Sequence, residues 1–144
     1  QQQIEVFWLK GSGVRQQLIA TRTATTADIK KQPTAALETA FNNLLAGPKD
    51  GSVSTTIPQG TKLRGLKMEN DGIHVNLSEE FATGGGSTAM TGRVAQVIYT
   101  ATSLDPNAKV WIEVEGEPLE VLGGEGLELE QPLTRQSLGE NFTL

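Results

Sequence analysis

The sequence predicts an α+β domain in which two αββ-like units form one antiparallel or mixed sheet, with both helices packed on one of its faces. Three observations carry that expectation. Two stretches repeat apolar residues with the 3.6-residue period of a half-buried helix. Each is followed by two short stretches in which apolar and polar residues alternate, the period of a half-buried strand. The whole chain is 144 residues long, enough for one ordinary domain or two small repeats sharing a core. We expect a single domain over 1–144, with a core at about 4–122 and a looser acidic tail at 123–144.

The organising stretch is 33–60, PTAALETAFNNLLAGPKDGSVSTTIPQG. Ala36, Leu37, Ala40, Phe41, Leu44 and Leu45 share one helical face, and Glu38, Thr39, Asn42 and Asn43 fall on the other, so the helix can lie on a core with one side wet. Pro33 suits the first turn, where a missing N–H is no loss. Gly47-Pro48 is a stop, with glycine expected in the left-handed cap. A helix this short is marginal without a sheet beneath it.

Upstream, Ile4–Leu9 is a compact apolar run suited to a strand covered on both faces. A Lys10–Gly13 turn should hairpin it to a second strand over Val14–Thr23, and the polar stretch Thr25–Gln32 reads as a loop. Downstream, Thr61–Glu69 reads as a strand with a bulge near Gly65, because Leu63 is out of phase with Leu66 and Met68. Asn70-Asp71-Gly72 is a hairpin signal, Asp-Gly tolerating positive φ. Ile73, Val75 and Leu77 alternate with His74, Asn76 and Ser78.

After the punctuation Thr83–Ser87 (TGGGS), Ser87 or Thr88 could cap a second helix with Met90, Val94, Val97, Ile98, Ala101 and Leu104 on one stripe. Asp105-Pro106 stops it. Lys109–Glu115 alternates, placing Val110, Ile112 and Val114 on one face and Trp111, Glu113 and Glu115 on the other. Gly116-Glu117 should turn it into a short Pro118–Leu122 strand. The remainder is expected to pack loosely, anchored by Leu127, Leu129 and Leu133.

Composition narrows the function classes. Apolar residues make up 37% and charged residues 20%, a globular balance. The chain has no cysteine, which removes disulfides, thiolate nucleophiles and cysteine metal sites from consideration. It opens at Gln1 without methionine and carries no membrane-length apolar run or signal peptide; we expect it to be a piece of something longer. The net charge of −5 is uneven: seven glutamates and no Lys or Arg lie between Val110 and Thr134. That sign repels phosphate backbones and argues against nucleic acid. It suits a basic protein partner, or simply a solvated face that keeps the domain soluble.

Candidate chemistry is thin. The single histidine, His74, sits near Asp71 and Ser78, but one hairpin cannot readily supply a positioned nucleophile together with oxyanion donors. Glu113, Glu115 and Glu117 could be read as glycosidase carboxylates, yet alternate residues of one strand project in parallel instead of facing across a cleft. The glycine run before the second helix could bind an anion through Gly85, Gly86, Ser87 and Arg93. It lacks the P-loop ending and the dinucleotide spacing. Trp111 on the polar side of its strand, with Glu113 and Glu115, is the candidate partner surface, since exposed tryptophan favours interfaces. No metal site, cofactor or catalytic set is expected.

Several phrases then line up in order: VFWLK, Leu44–Pro48, Ile57–Leu63 (IPQGTKL), Asp71–Phe81 (DGIHVNLSEEF), Gln96–Thr100 and Pro132–Arg135. Together they resemble the GerMN domain, the sporulation and spore germination domain of bacterial envelope proteins, over roughly residues 4–135. The resemblance implies a fold similar to ring-building motifs, an extracytoplasmic setting in the periplasm or cell envelope, and tethering by a lipid anchor or one transmembrane helix. It implies no enzymatic activity and no cofactor. It implies a protein-interaction or assembly role toward an envelope protein or further copies, with membrane contact only through an anchor outside this chain. The alternative is a module binding cell-wall glycan or a small anion at the Gly84–Thr88 loop. The glycine loop and the single copy of the domain are departures from the family pattern.

Overall fold

The structure is a computed structural model, and it describes residues 2–12, 15–25, 28–49, 51–83, 87–119, 121–122, 127–128 and 131–136. Two long strands open the chain, β1 (Gln2–Ser12) and β2 (Arg15–Thr25). They pair antiparallel without a break, from Gln2 opposite Thr25 to Ser12 opposite Arg15. Both outrun the apolar Ile4–Leu9 pattern, because the ladder continues through the polar and β-branched residues Thr21, Thr23 and Thr25.

β1 is buried on both faces: Ile4, Val6 and Trp8 on one, Phe7 and Leu9 on the other. Its edge away from β2 is sealed. Phe7 N–H donates to Thr100 Oγ1 (3.2 Å), Gln96 Nε2 donates to Phe7 O (3.2 Å), and Leu9 exchanges two backbone bonds with Ser54 (2.8 and 2.7 Å).

Helix α1 (Pro33–Ala46) follows, with proline at its start and Ala36, Leu37, Ala40, Phe41 and Leu44 buried. Gly47 ends it at φ 95°, but with ψ 162°. It therefore takes an extended positive-φ conformation open only to glycine, not the left-handed cap that was expected. The chain then runs past Ser54 and turns at Pro58–Thr61. Thr61 N–H and Oγ1 both bond Pro58 O (3.2 and 2.7 Å), and Gly60 sits at φ 95°, the positive angle a type II turn requires at its third position.

Strands β3 (Leu63–Glu69) and β4 (Gly72–Leu77) form the next hairpin. The register slips between Leu63 and Gly65, so Arg64 is the bulged residue and the strand begins two residues later than expected. The hairpin turn is Asn70-Asp71, and the positive φ (135°) falls on Gly72, the first residue of β4, not on Asp71. Glycine is needed there twice over. A Cβ would also stand 2.5 Å from Lys109 O, the carbonyl that accepts the Ile73 N–H at 2.8 Å.

A 3-10 turn (Glu79–Ala82) buries Phe81 and leads to helix α2 (Ser87–Ala101). The residue that would cap α2 lies outside the described residues. Strand β5 (Val110–Val114) then enters parallel to β4, and β6 (Glu117–Pro118) returns antiparallel. The resulting mixed sheet has the order β3-β4-β5-β6, one hairpin from each αββ unit joined at its centre. Leu66, Ile73, Val75, Leu77, Val110 and Ile112 form one buried cluster with the apolar residues of both helices. The opposite sheet face is half-buried or exposed. Both helices therefore cover the same side, as the sequence predicts.

The second half differs from expectation in two places. The turn after β5 is Glu115-Gly116, at φ 49° and 83°, the paired positive angles of a tight hairpin turn; Glu115 thus leaves the strand. The stretch expected as one strand over Pro118–Leu122 is split. Leu119 turns inward to donate to Ile112 O (3.0 Å), and β7 (Val121–Leu122) pairs instead with β8 (Leu127–Glu128). The wedge is Gln131: its Oε1 accepts Ile112 N–H (2.7 Å), while Nε2 donates to Ile112 O and Leu119 O (2.9 and 2.6 Å). Its amide stands where a neighbouring strand's peptide would be. Leu133, one of the expected anchors, is buried and exchanges two 2.8 Å backbone bonds with Val110. Leu129 lies outside the described residues.

Candidate functional site

The uncovered face of the four-stranded sheet is ordered by its register. Lys67, His74 and Trp111 stand side by side on β3, β4 and β5, and Gly65, Asn76, Glu113 and Pro118 form the next row. The His74 and Trp111 rings stack with centroids 5.7 Å apart and planes 10° from parallel. Trp111 Nε1–H donates to Asp71 O (2.9 Å), and His74 Nε2 lies 2.7 Å from Asp71 Oδ1. A carboxylate only accepts, so Nε2 carries the proton in this pair. One turn residue, Asp71, thus fixes both rings, through its carbonyl and its carboxylate.

Around them the polar groups are also tied. Asn76 Oδ1 accepts Gly116 N–H at 2.8 Å. Glu115, expected beside Trp111 and Glu113, faces Arg64 Nε at 3.4 Å and accepts Glu79 N–H at 3.1 Å. Glu113 remains on β5, half-buried, opposite Asn76. The structure brings Trp111 and Glu113 onto one face and moves Glu115 to the turn at its end. At the other end is a groove of about 340 Å³ whose lining includes Met68, Asp71, Ile73, Leu104, Ala108 and Lys109. It opens because α2 stops at Ala101, short of the row Met68–Ile73–Val110. Met68 is left 41% exposed, the one exposed large apolar side chain among the described residues.

The remaining candidates fall elsewhere. Gly85 and Gly86 lie outside the described residues, and Ser87 is the first residue of α2. Arg93 is buried, its Nη1 donating to Phe81 O and Thr83 O (2.8 and 2.7 Å). Burial lowers its pKa from the ordinary value, but an arginine so placed keeps its charge. Ser78 is fully buried, and its Oγ accepts Lys62 N–H at 2.7 Å. Among the described residues no group of three or more His, Cys, Asp or Glu is placed to hold a metal. No described helix is long and apolar enough to cross a membrane.

Sequence reasoning did not find the His74–Trp111 stack. The rings are 37 residues apart and meet only through the parallel β4–β5 register, for which alternation carries no signal. It also missed Arg135, whose guanidinium lies 4.5 Å over the Tyr99 ring and 5.3 Å from that of Phe7 while bonding Tyr99 O and Thr102 Oγ1 (3.0 and 2.7 Å).

A family model described as sporulation and spore germination, Germane, matches residues 5–120. No curated protein matches the chain. Among solved structures, the first GerMN domain of the sporulation protein GerM from Bacillus subtilis is similar at 17% identity and a TM-score of 0.73, over 94% of this chain and 99% of that one. The tandem GerMN domains of the same protein align at 18% identity and a TM-score of 0.68, over 94% of this chain and 47% of the longer one. A provisionally assigned lipoprotein from Clostridium perfringens aligns at 20% identity and a TM-score of 0.63, over 99% of this chain and 92% of that one. At these identities the likeness is one of fold.

Proposed function

The chain belongs to the Germane family of sporulation and spore germination domains, and from that premise we propose that it is a non-enzymatic, extracytoplasmic interaction domain docking a protein partner on the open face of its mixed sheet. The observation that carries this reading is the fixed Trp111 ring. Its N–H is bonded to Asp71 O and its plane is set by His74, so little rotamer freedom remains to be lost on binding. Tryptophan held in this way, flanked by charged groups such as Lys67 and Glu113, has the make-up of an interface centre with a polar rim. The fold likeness to a provisionally assigned lipoprotein supports an envelope setting and tethering of the full-length protein. The partner is an envelope protein or a further copy.

The test places a photo-crosslinking residue at Glu113, on the open face, and at Glu38, on the exposed side of α1. Crosslinking in the envelope fraction should trap a discrete partner from position 113 and none from position 38. Trp111→Ala should reduce that product about tenfold or more, the scale of a hot-spot loss, in a chain whose circular dichroism shows it still folded. Equal products from both positions, or indifference to Trp111→Ala, would overturn the reading.

A further inference from the structure

The two strands of the N-terminal hairpin leave very different outer edges. In β1 the N–H and C=O groups of Phe7 and Leu9 point away from β2 and are all bonded. In an antiparallel ladder the residues facing them, Ala20 and Leu18, must also direct their backbone groups outward, on the far side of β2. Arg22, two residues on, does the same. Among the described residues these groups have no backbone partner.

Sheet edges of this kind are usually blunted, and the contrast with β3 is informative. β3 is short, carries the Arg64 bulge, and presents Arg64, Lys67 and Glu69 in seven residues. The edge strand β2 has two charges in eleven residues, Arg15 at its start and Arg22, with no proline, glycine or register break. Ile19, Thr21, Thr23 and Thr25 give it high strand propensity. Ala20 at its centre is exposed and small, leaving room for a neighbour at the ordinary strand spacing.

We propose that the outer edge of β2 is a strand-addition site for a second copy of this chain, β2 pairing antiparallel with β2 about a two-fold axis at Ala20. An outward row of alternating donors and acceptors is complementary to its own two-fold copy, the condition for an isologous contact. In this register Ala20 faces Ala20 of the second copy, and Arg22 faces Leu18 of the second copy. Arg15, at the start of the strand, faces Thr25 of the second copy, so neither charge on the strand meets a like charge, and like charges directly opposed are what would disfavour the pairing. The two hairpins become one four-stranded sheet, and the contact leaves the Trp111 face free, so this inference does not depend on the proposed function.

The absence of cysteine makes a single introduced thiol a clean reporter. A hydrogen-bonded antiparallel pair holds its Cα atoms about 5.5 Å apart, inside the roughly 4.4–6.8 Å range of a disulfide. Under mild oxidation Ala20→Cys should convert mostly to a covalent dimer. Arg22→Cys, about 13 Å from its own copy along the strands, should convert at least tenfold more slowly. Sedimentation of the unmodified chain should show a monomer–dimer equilibrium, which Ala20→Pro abolishes by removing one outward N–H. Ala20→Lys, a change at an exposed side chain that leaves the fold intact, should abolish it at low salt and restore it at high salt. A monomer at every concentration, equal crosslinking at positions 20 and 22, or dimerisation unaffected by Ala20→Lys would each overturn the proposal. So would a thiol at position 20 that crosslinks only to a different protein.

Discussion

The two helices come from corresponding places in the two αββ units, yet they are buried in different ways. Every buried residue of α1 is apolar: Ala36, Leu37, Ala40, Phe41 and Leu44. α2 buries Met90, Val94, Ala95, Val97, Ile98 and Ala101, but also Arg93, Gln96 and Thr100. The difference is what lies against them. α2 meets the sealed edge of β1, the end of the 3-10 turn and the 55–56 segment, all of which bring backbone groups that need partners. Gln96 alone accepts Thr56 N–H at 3.0 Å and donates to Phe7 O and Thr55 Oγ1. Thr100 takes Phe7 N–H, and Arg93 takes the carbonyls of Phe81 and Thr83. Both helices stabilise the fold by apolar area, and α2 adds to it the satisfying of its neighbours' backbones.

Substitutions can break that comparison. Phe41 is fully buried, so Phe41→Ala should cost about 3–5 kcal/mol, from the lost apolar burial together with the cavity left behind. A denaturant midpoint that does not move would remove α1 from the core. Gln96→Leu keeps the volume but strips the partners of Phe7 O and Thr56 N–H. Two orphaned groups at about 1–3 kcal/mol each, partly recovered by water and relaxation, give about 2–3 kcal/mol in urea unfolding. A neutral Gln96→Leu would show that the amide does not hold the β1 edge. Thr100→Val orphans only Phe7 N–H, and its expected cost is about 1–2 kcal/mol. Combining Gln96→Leu with Thr100→Val sharpens the point. The two share Phe7, so their costs should deviate from additivity by about 0.5 kcal/mol or more, whereas Phe41→Ala with Thr100→Val should add.

The apolar half of this comparison was legible in the sequence and the polar half was not. The α1 face, the α2 stripe from Met90 to Ala101 and the alternation of β4 and β5 all follow from period, and period is set by which side is buried. Gln96 and Thr100 read as polar interruptions of a stripe, because the groups they satisfy, Phe7 and Thr56, are 89 and 40 residues away. Gln131 and Arg135 eluded the reading for the same reason. Their partners are the backbone of Ile112 and the rings of Phe7 and Tyr99, which composition does not mark. On the candidate site, Trp111 and Glu113 were legible as the polar side of a strand. The ring stack that fixes Trp111 depends on a parallel register between strands from different units. The outward edge of β2 was hidden too, since alternation reports faces and says nothing about edges.

The smallest effect expected lies where Arg93 of α2 holds the end of the 3-10 turn, and it concerns the turn's start. Glu80 has its pKa lowered from the ordinary value of 4.5, first by a hydrogen bond from the Ser78 side chain, then by its own backbone N–H, with Arg64 and Lys62 adding favourable charge and burial opposing. A carboxyl with a lower pKa in the folded chain binds fewer protons there than when unfolded. Its contribution is therefore fully present above about pH 4.5 and fades as pH falls through the folded value. Glu80→Gln should leave the chain slightly less stable than the unmodified protein at pH 7, with the gap in thermal midpoint narrowing as pH falls below about 4.5. A gap that does not narrow on acidification would mean that the carboxylate charge contributes nothing to the turn, whose supports would then be Arg93 at its end and the Glu115 carboxylate on Glu79 N–H at its start.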